Sequence, residues 1–126
     1  MSSTWAHQPG VRYISAGAGM NKNDVFERAP ERENEQDYFL NSFPSMPDKA
    51  GLFVGMNAIS YMSDEAFVYY LPFFMECLLE DPYPYDRLSI TVEVRLEYMS
   101  AESEERYKDQ LALARQQMAE VQRKFY

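Results

Sequence analysis

Reactive side chains are nearly missing from this chain of 126 residues, which has one histidine, His7, and one cysteine, Cys77. A Ser–His–acid set or a Cys–His pair needs an imidazole held beside the nucleophile. Here that would require His7 to fold back from a Ser-, Gly- and Ala-rich leader onto the middle of the chain. A lone thiol cannot form an internal disulfide or a thiolate zinc cluster, and it fits a reducing compartment, so a cytoplasmic location is expected. Bases are also scarce, twelve against twenty acids for a net charge of −8, and they are dispersed. Phosphate binding needs clustered Lys and Arg, so nucleic acid is not an expected partner. No apolar run reaches the roughly 18 residues of a membrane span, and no basic start followed by an apolar stretch marks a signal peptide. Glu-x-x-His and the EF-hand spacing do not occur, and Gly17-Ala-Gly19 lacks the Gly-Lys-Ser/Thr ending of a phosphate loop. Neither a cofactor nor a metal site is expected, and a hydrolase built from acids alone is the weakest of the readings.

What the chain does have is apolar and aromatic mass: 46% hydrophobic residues, with ten Tyr and eight Phe, enough for one core in one domain. The densest stretch is Ser63 to Glu80. Ser63 is a good N-cap, and Asp64 and Glu65 suit the positive end of a helix. Glu65, Tyr69, Pro72, Glu76 and Glu80 recur at steps of four and three as one thin stripe, and every other face is apolar. A helix with that pattern is buried on most sides. Pro72 lies on the stripe, so the backbone bond it deletes is expected on the water side, with a bend around the core. Cys77 falls on an apolar face, where a buried structural thiol is a simpler reading than a nucleophile.

Around this spine the sequence predicts a mainly α, single-domain helical bundle over 24–126, preceded by a flexible leader at 1–23 with room for a short strand at Val11–Ser15. Asp24-Val-Phe-Glu27 has capping-box spacing, cut short by Pro30. Helices are expected over Glu31–Phe43 and Lys49–Met62. At 90–96, Ile90, Val92, Val94 and Leu96 alternate with polar residues, the pattern of a short strand, with a helix as the competing reading. From Ser100 the last helix carries Tyr107, Leu111, Ala114, Met118, Val121 and Phe125 as a heptad seam. Its simplest use is to pack on the central helix, and its alternative use is a homodimer.

Binding features are more developed than catalytic ones. Tyr83 and Tyr85 sit among prolines in Asp81-Pro-Tyr-Pro-Tyr-Asp86, a stiff loop that would hold rings outward beside Asp86, although the rings could equally fold back as a lid. With Glu76 and Glu80 on the central stripe, these residues form the candidate partner-binding set, suited to a basic protein. The acids, taken alone, read first as a solvated surface.

Ser63-Asp-Glu-Ala-Phe-Val-Tyr-Tyr-Leu-Pro72 resembles a family of small bacterial proteins of uncharacterised function with a Ser-acid-Glu-Ala-Phe-x-Tyr-Tyr-Leu-Pro helix. In that family a Phe-containing helix precedes the motif and a serine-capped helix rich in Glu and Gln closes the chain. Asp37–Phe43 and Ser100–Lys124 would be their counterparts. The resemblance implies a mostly helical domain, with helix at Arg95–Ser100, and carries no catalytic residues. Small acidic proteins of this style include inhibitors and immunity proteins, an analogy at the level of fold. The expectation is therefore a non-catalytic module that neutralises a basic protein partner, with a homo-oligomeric assembly subunit as the alternative.

Overall fold

A computed structural model describes residues 25–26, 34–41, 48–81 and 86–125. The leader at 1–23, the candidate strand at Val11–Ser15, Phe43, and the Tyr83 and Tyr85 loop lie outside the described residues. Six α-helices and one 3₁₀ helix account for nearly all of the described chain: α1 Asn34–Leu40, α2 Lys49–Gly55, the 3₁₀ helix Met56–Tyr61, α3 Asp64–Glu80, α4 Asp86–Glu97, α5 Ala101–Arg106 and α6 Lys108–Phe125. Among the described residues there is no sheet. Val25 and Phe26 do not start a helix; Phe26 makes an isolated antiparallel bridge to Met62, and Ser63 N–H donates to the Val25 carbonyl at 3.0 Å.

The spine forms as its residues dictate. Ser63 Oγ accepts from Ala66 N–H at 3.1 Å, capping α3 with Asp64 and Glu65 in the first turn. At the other end, Asp81 N–H still reaches the Cys77 carbonyl at 3.1 Å, and Pro82 follows. Eleven of the seventeen residues of α3 are buried. The expected water-facing stripe is narrower than the spacing implies. Tyr69 and Pro72 are buried, which corrects the solvent-side placement of the proline, and only Glu76 and Glu80 with the edges of Phe73 and Leu79 reach the surface at the C-terminal half. Cys77 is buried.

The segment expected as one helix over Lys49–Met62 tightens after Gly55. Its apolar spacing explains why: Leu52 to Met56 is a step of four, but Met56, Ile59 and Met62 are three apart. Residues three apart eclipse one another when there are three residues per turn, and Met56, Ile59 and the capping Met62 are all buried. The alternating segment at 90–96 is helix, not strand. In α4, Leu88, Val92 and Leu96 face the core while Ile90 and Val94 stand exposed on the opposite side. The alternation comes from two apolar stripes on one helix. The C-terminal helix breaks once, at Tyr107 (φ −116°, ψ 24°), yet 2.9 Å bonds from Tyr107 N–H to Ser103 and from Leu111 N–H to Tyr107 carry the ladder across the break. The seam residues Tyr107, Leu111, Ala114, Met118 and Val121 are buried, and α6 packs along α3. The heptad pattern is thus used within the chain.

Phe39 of α1 joins the first helices to the spine. Its ring meets Phe26 (6.4 Å), Tyr70 (5.2 Å) and Phe74 (6.4 Å) edge-on, a geometry that adds about 0.5–1.5 kcal/mol per pair beyond burial. Tyr70 lies at the centre of this cluster, and its hydroxyl is buried with no hydrogen-bond partner among the described residues. Burial, and secondarily the neighbouring Tyr69, pushes its phenol far above the ordinary value, so the group stays neutral. Phe39→Ala should therefore cost about 3–5 kcal/mol in denaturant unfolding. Tyr70→Phe, which removes only an unpaired polar atom, should leave stability unchanged or raise it by about 1 kcal/mol. A large loss in Tyr70→Phe would show that the hydroxyl is bonded in solution.

Candidate functional site

Three surfaces hold enough polar or exposed apolar groups to be weighed. The first is the junction where the 3₁₀ helix, α3, α4 and α5 meet. Carbonyls at the end of the 3₁₀ helix and at its cap keep acceptor capacity, Ile59 while already accepting from Met62 N–H at 3.2 Å, and Arg95, reaching across from α4, meets them. Its guanidinium donates to the carbonyls of Met62 (2.8 Å) and Ile59 (3.0 Å) and to Asp64 Oδ1 (3.1 Å). It also lies 4.9 Å above the Phe67 ring. Asp64 in turn accepts from Ser103 Oγ at 2.7 Å and Ser100 Oγ at 3.2 Å. Ser100 caps α5 by accepting from Ser103 N–H at 3.1 Å. Burial pushes the Asp64 carboxyl up, but the Ser103 and Ser100 hydroxyls and the Arg95 charge outweigh it and hold the group below its usual 3.8.

A polar hollow of about 280 Å³ opens over this junction, lined by Ser63, Asp64, Glu65, Ser103, Arg106 and Tyr107 among others. The Ser100 and Ser103 hydroxyls and the Asp64 carboxylate are engaged with one another. Burial, with Glu65, Asp64 and Glu102 adding, pushes the Tyr107 phenol up in spite of Arg106, so it stays protonated. The junction joins helices. Among the described residues no group of three or more His, Cys, Asp or Glu comes together as a metal site.

The second surface is a groove of about 360 Å³ between α4 and α6. Leu96, Met118 and Ala119 form its floor, and Glu93, Glu97 and Gln122 its rim. Arg115 closes one end: it pairs in bidentate fashion with Glu104 and donates to the Leu96 carbonyl at 2.7 Å, capping the end of α4. Gln122 donates to Glu93 at 3.0 Å.

The third surface adjoins it. Ile90 is 61% exposed, Val94 48% and Tyr98 77%, the largest exposure of any big apolar residue described. Spaced by four, they form one ridge on the outer face of α4, with Glu93 and Glu97 beside it. Asp86, exposed, opens the same helix.

Of the residues marked out by sequence as partner-binding, Asp86 alone belongs to this face. Glu76 and Glu80 sit one turn apart on α3, half-buried and exposed respectively, and Tyr83 and Tyr85 lie outside the described residues. Sequence reasoning missed Ile90, Val94 and Tyr98. Their signal was the four-residue spacing 90–94–98 running beside a second one, 88–92–96, which a strand reading merges into simple alternation. No family model, curated protein or solved structure matches the chain.

The Asp64 junction has a defined pH signature. Because its folded pKa lies below the unfolded one, its contribution is complete above the unfolded value and is lost as pH falls through the folded value. Asp64→Asn should cost about 1–2 kcal/mol at pH 7, an amount reduced by partial solvent exposure. Thermal unfolding of the wild type and Asp64→Asn should converge as pH drops below about 4. A gap that stays constant between pH 7 and pH 3 would contradict the assignment.

Proposed function

We propose that the protein is a non-catalytic binding module that neutralises a basic protein partner, in the manner of an inhibitor or immunity protein. The observation that carries this is the outer face of α4, where an exposed ridge of Ile90, Val94 and Tyr98 runs beside Glu93 and Glu97. A large exposed aromatic next to aliphatic residues and an acidic rim is the composition of a docking patch. The net charge of −8 steers a cationic partner toward it. The junction of Arg95 and Asp64, by contrast, has its polar groups taken up inside the fold.

The partner-binding set is accordingly centred on α4 and retains Asp86 at its head. The resemblance of residues 63–72 to the bacterial family belongs to the same proposal, as does a cytoplasmic setting; it adds a helical framework and no activity. Among the described residues, no helix is long and apolar enough to cross a membrane. The self-assembling alternative would use the C-terminal seam, which is already buried in the chain.

Tyr98→Ala should weaken the partner complex by about 2 kcal/mol, or roughly thirtyfold, while leaving the thermal midpoint nearly unchanged. The check is affinity capture with wild type and Tyr98→Ala in parallel, followed by titration of the captured protein's own activity. A basic protein held by the wild type, inhibited at one-to-one stoichiometry and lost by the variant is the expected result. Equal retention by both forms would overturn the reading.

A further inference from the structure

We infer that the partner presents a basic amphipathic helix, which lies along α4. Its apolar stripe would rest on Ile90, Val94 and Tyr98, and its Lys or Arg side chains would reach Glu93 and Glu97. This rests on the reading of the protein as a binding module and adds the shape and chemistry of what it binds. Residues 90, 94 and 98 make a straight ridge of about 12 Å, the i±4 row of a helix surface. Such a ridge fits the groove between rows on a second helix, and two to three turns of partner would cover it. An extended strand would instead need free backbone donors and acceptors, which α4 uses in its own ladder.

Charge fixes the sign of the partner. Glu93 and Glu97 are like charges one turn apart in the last turns of α4, at the negative end of its dipole, where a carboxylate is disfavoured. Among the described residues the nearby bases are bonded elsewhere: Arg115 is held by Glu104 and the Leu96 carbonyl, and Arg87, on the other flank of the ridge, donates to Asn57 Oδ1 at 3.2 Å. The neighbouring groove floored by Leu96, Met118 and Ala119 gives the stem of an incoming Arg or Lys an apolar wall while its head stays between the carboxylates. A second copy of the chain fits poorly. It brings another −8, and antiparallel two-fold packing of α4 on α4 sets the Glu93/Glu97 flank against itself.

The test is titration of isotope-labelled protein with an 18-residue Leu/Lys peptide patterned as an amphipathic helix, followed by NMR and circular dichroism. A scrambled peptide of the same composition and a Leu/Glu peptide of the same pattern serve as controls. The expected result is saturable binding of the patterned basic peptide alone, a gain of helix, and shifts confined to α4 and the facing turns of α6. Ile90→Gln with Val94→Gln should weaken it about tenfold or more. Phe53→Gln, an exposed apolar residue on α2, should change it less than about twofold. Equal binding of the scrambled peptide, shifts spread over the whole acidic surface, indifference to the α4 pair, or a free protein that sediments as a dimer until Val94→Gln is introduced would each overturn the inference. If the captured natural partner is lost by Tyr98→Ala while the helical peptide does not dock, the binding function stands and the helical occupant alone falls.

Discussion

The Arg95 guanidinium is the constraint on which the arrangement of helices depends. It is largely shielded, with its side chain 15% exposed, and would be costly to bury unless each face of its charge were met. Here the last turn and cap of the 3₁₀ helix offer the Ile59 and Met62 carbonyls, α3 offers Asp64 from its first turn, and Phe67 offers the face of a ring. Asp64 then passes the restraint on to α5 through two serine hydroxyls. Four elements that share few backbone bonds are fixed to one another by two side chains. A lysine would not serve, because a single ammonium lacks the planar fork that reaches carbonyl and carboxylate together.

That anchor decides what α4 can present. With Arg95 drawn to the 3₁₀ helix, and Leu88, Val92 and Leu96 in the core, the rotation of α4 is set and Ile90, Val94 and Tyr98 must point away. Arg115 fixes the end of the same helix from α6. On the proposed reading, a ridge on a helix pinned at both sides is pre-organised, and a partner would meet it with little ordering cost. Its apolar residues gain nothing for the folded chain, and the acids beside them sit at the wrong end of the helix dipole. Local choices that work against stability are where function is to be sought.

Much of this fold was legible in the sequence. Ser63 and Ser100 cap helices as their positions imply, α3 is the buried spine, and the heptad seam of the last helix is buried as it packs along α3. What was not legible follows from tertiary partners. A strand and a two-striped helix give the same alternation over seven residues, and only the neighbours of α4 decide between them. Pro72 lies on the polar stripe by spacing, but the surrounding chain covers it. The switch from α to 3₁₀ after Gly55 is compatible with the spacing of Met56, Ile59 and Met62, yet the use of the Met62 carbonyl needs Arg95, a residue 33 positions away. Of the residues marked out by sequence for binding, only Asp86 lies on the outer face of α4. Tyrosine and acid composition does not say which helix carries an exposed apolar ridge.

The most direct measurement is a double-mutant cycle of Arg95→Met and Asp64→Asn by denaturant unfolding at neutral pH. If these two groups are the joint that orients α4, each substitution alone should be clearly destabilising. The pair should then fall short of additivity by about 1–3 kcal/mol. Effects that add to within about 0.5 kcal/mol would mean that Arg95 and Asp64 act independently, and that something else holds α4 in place.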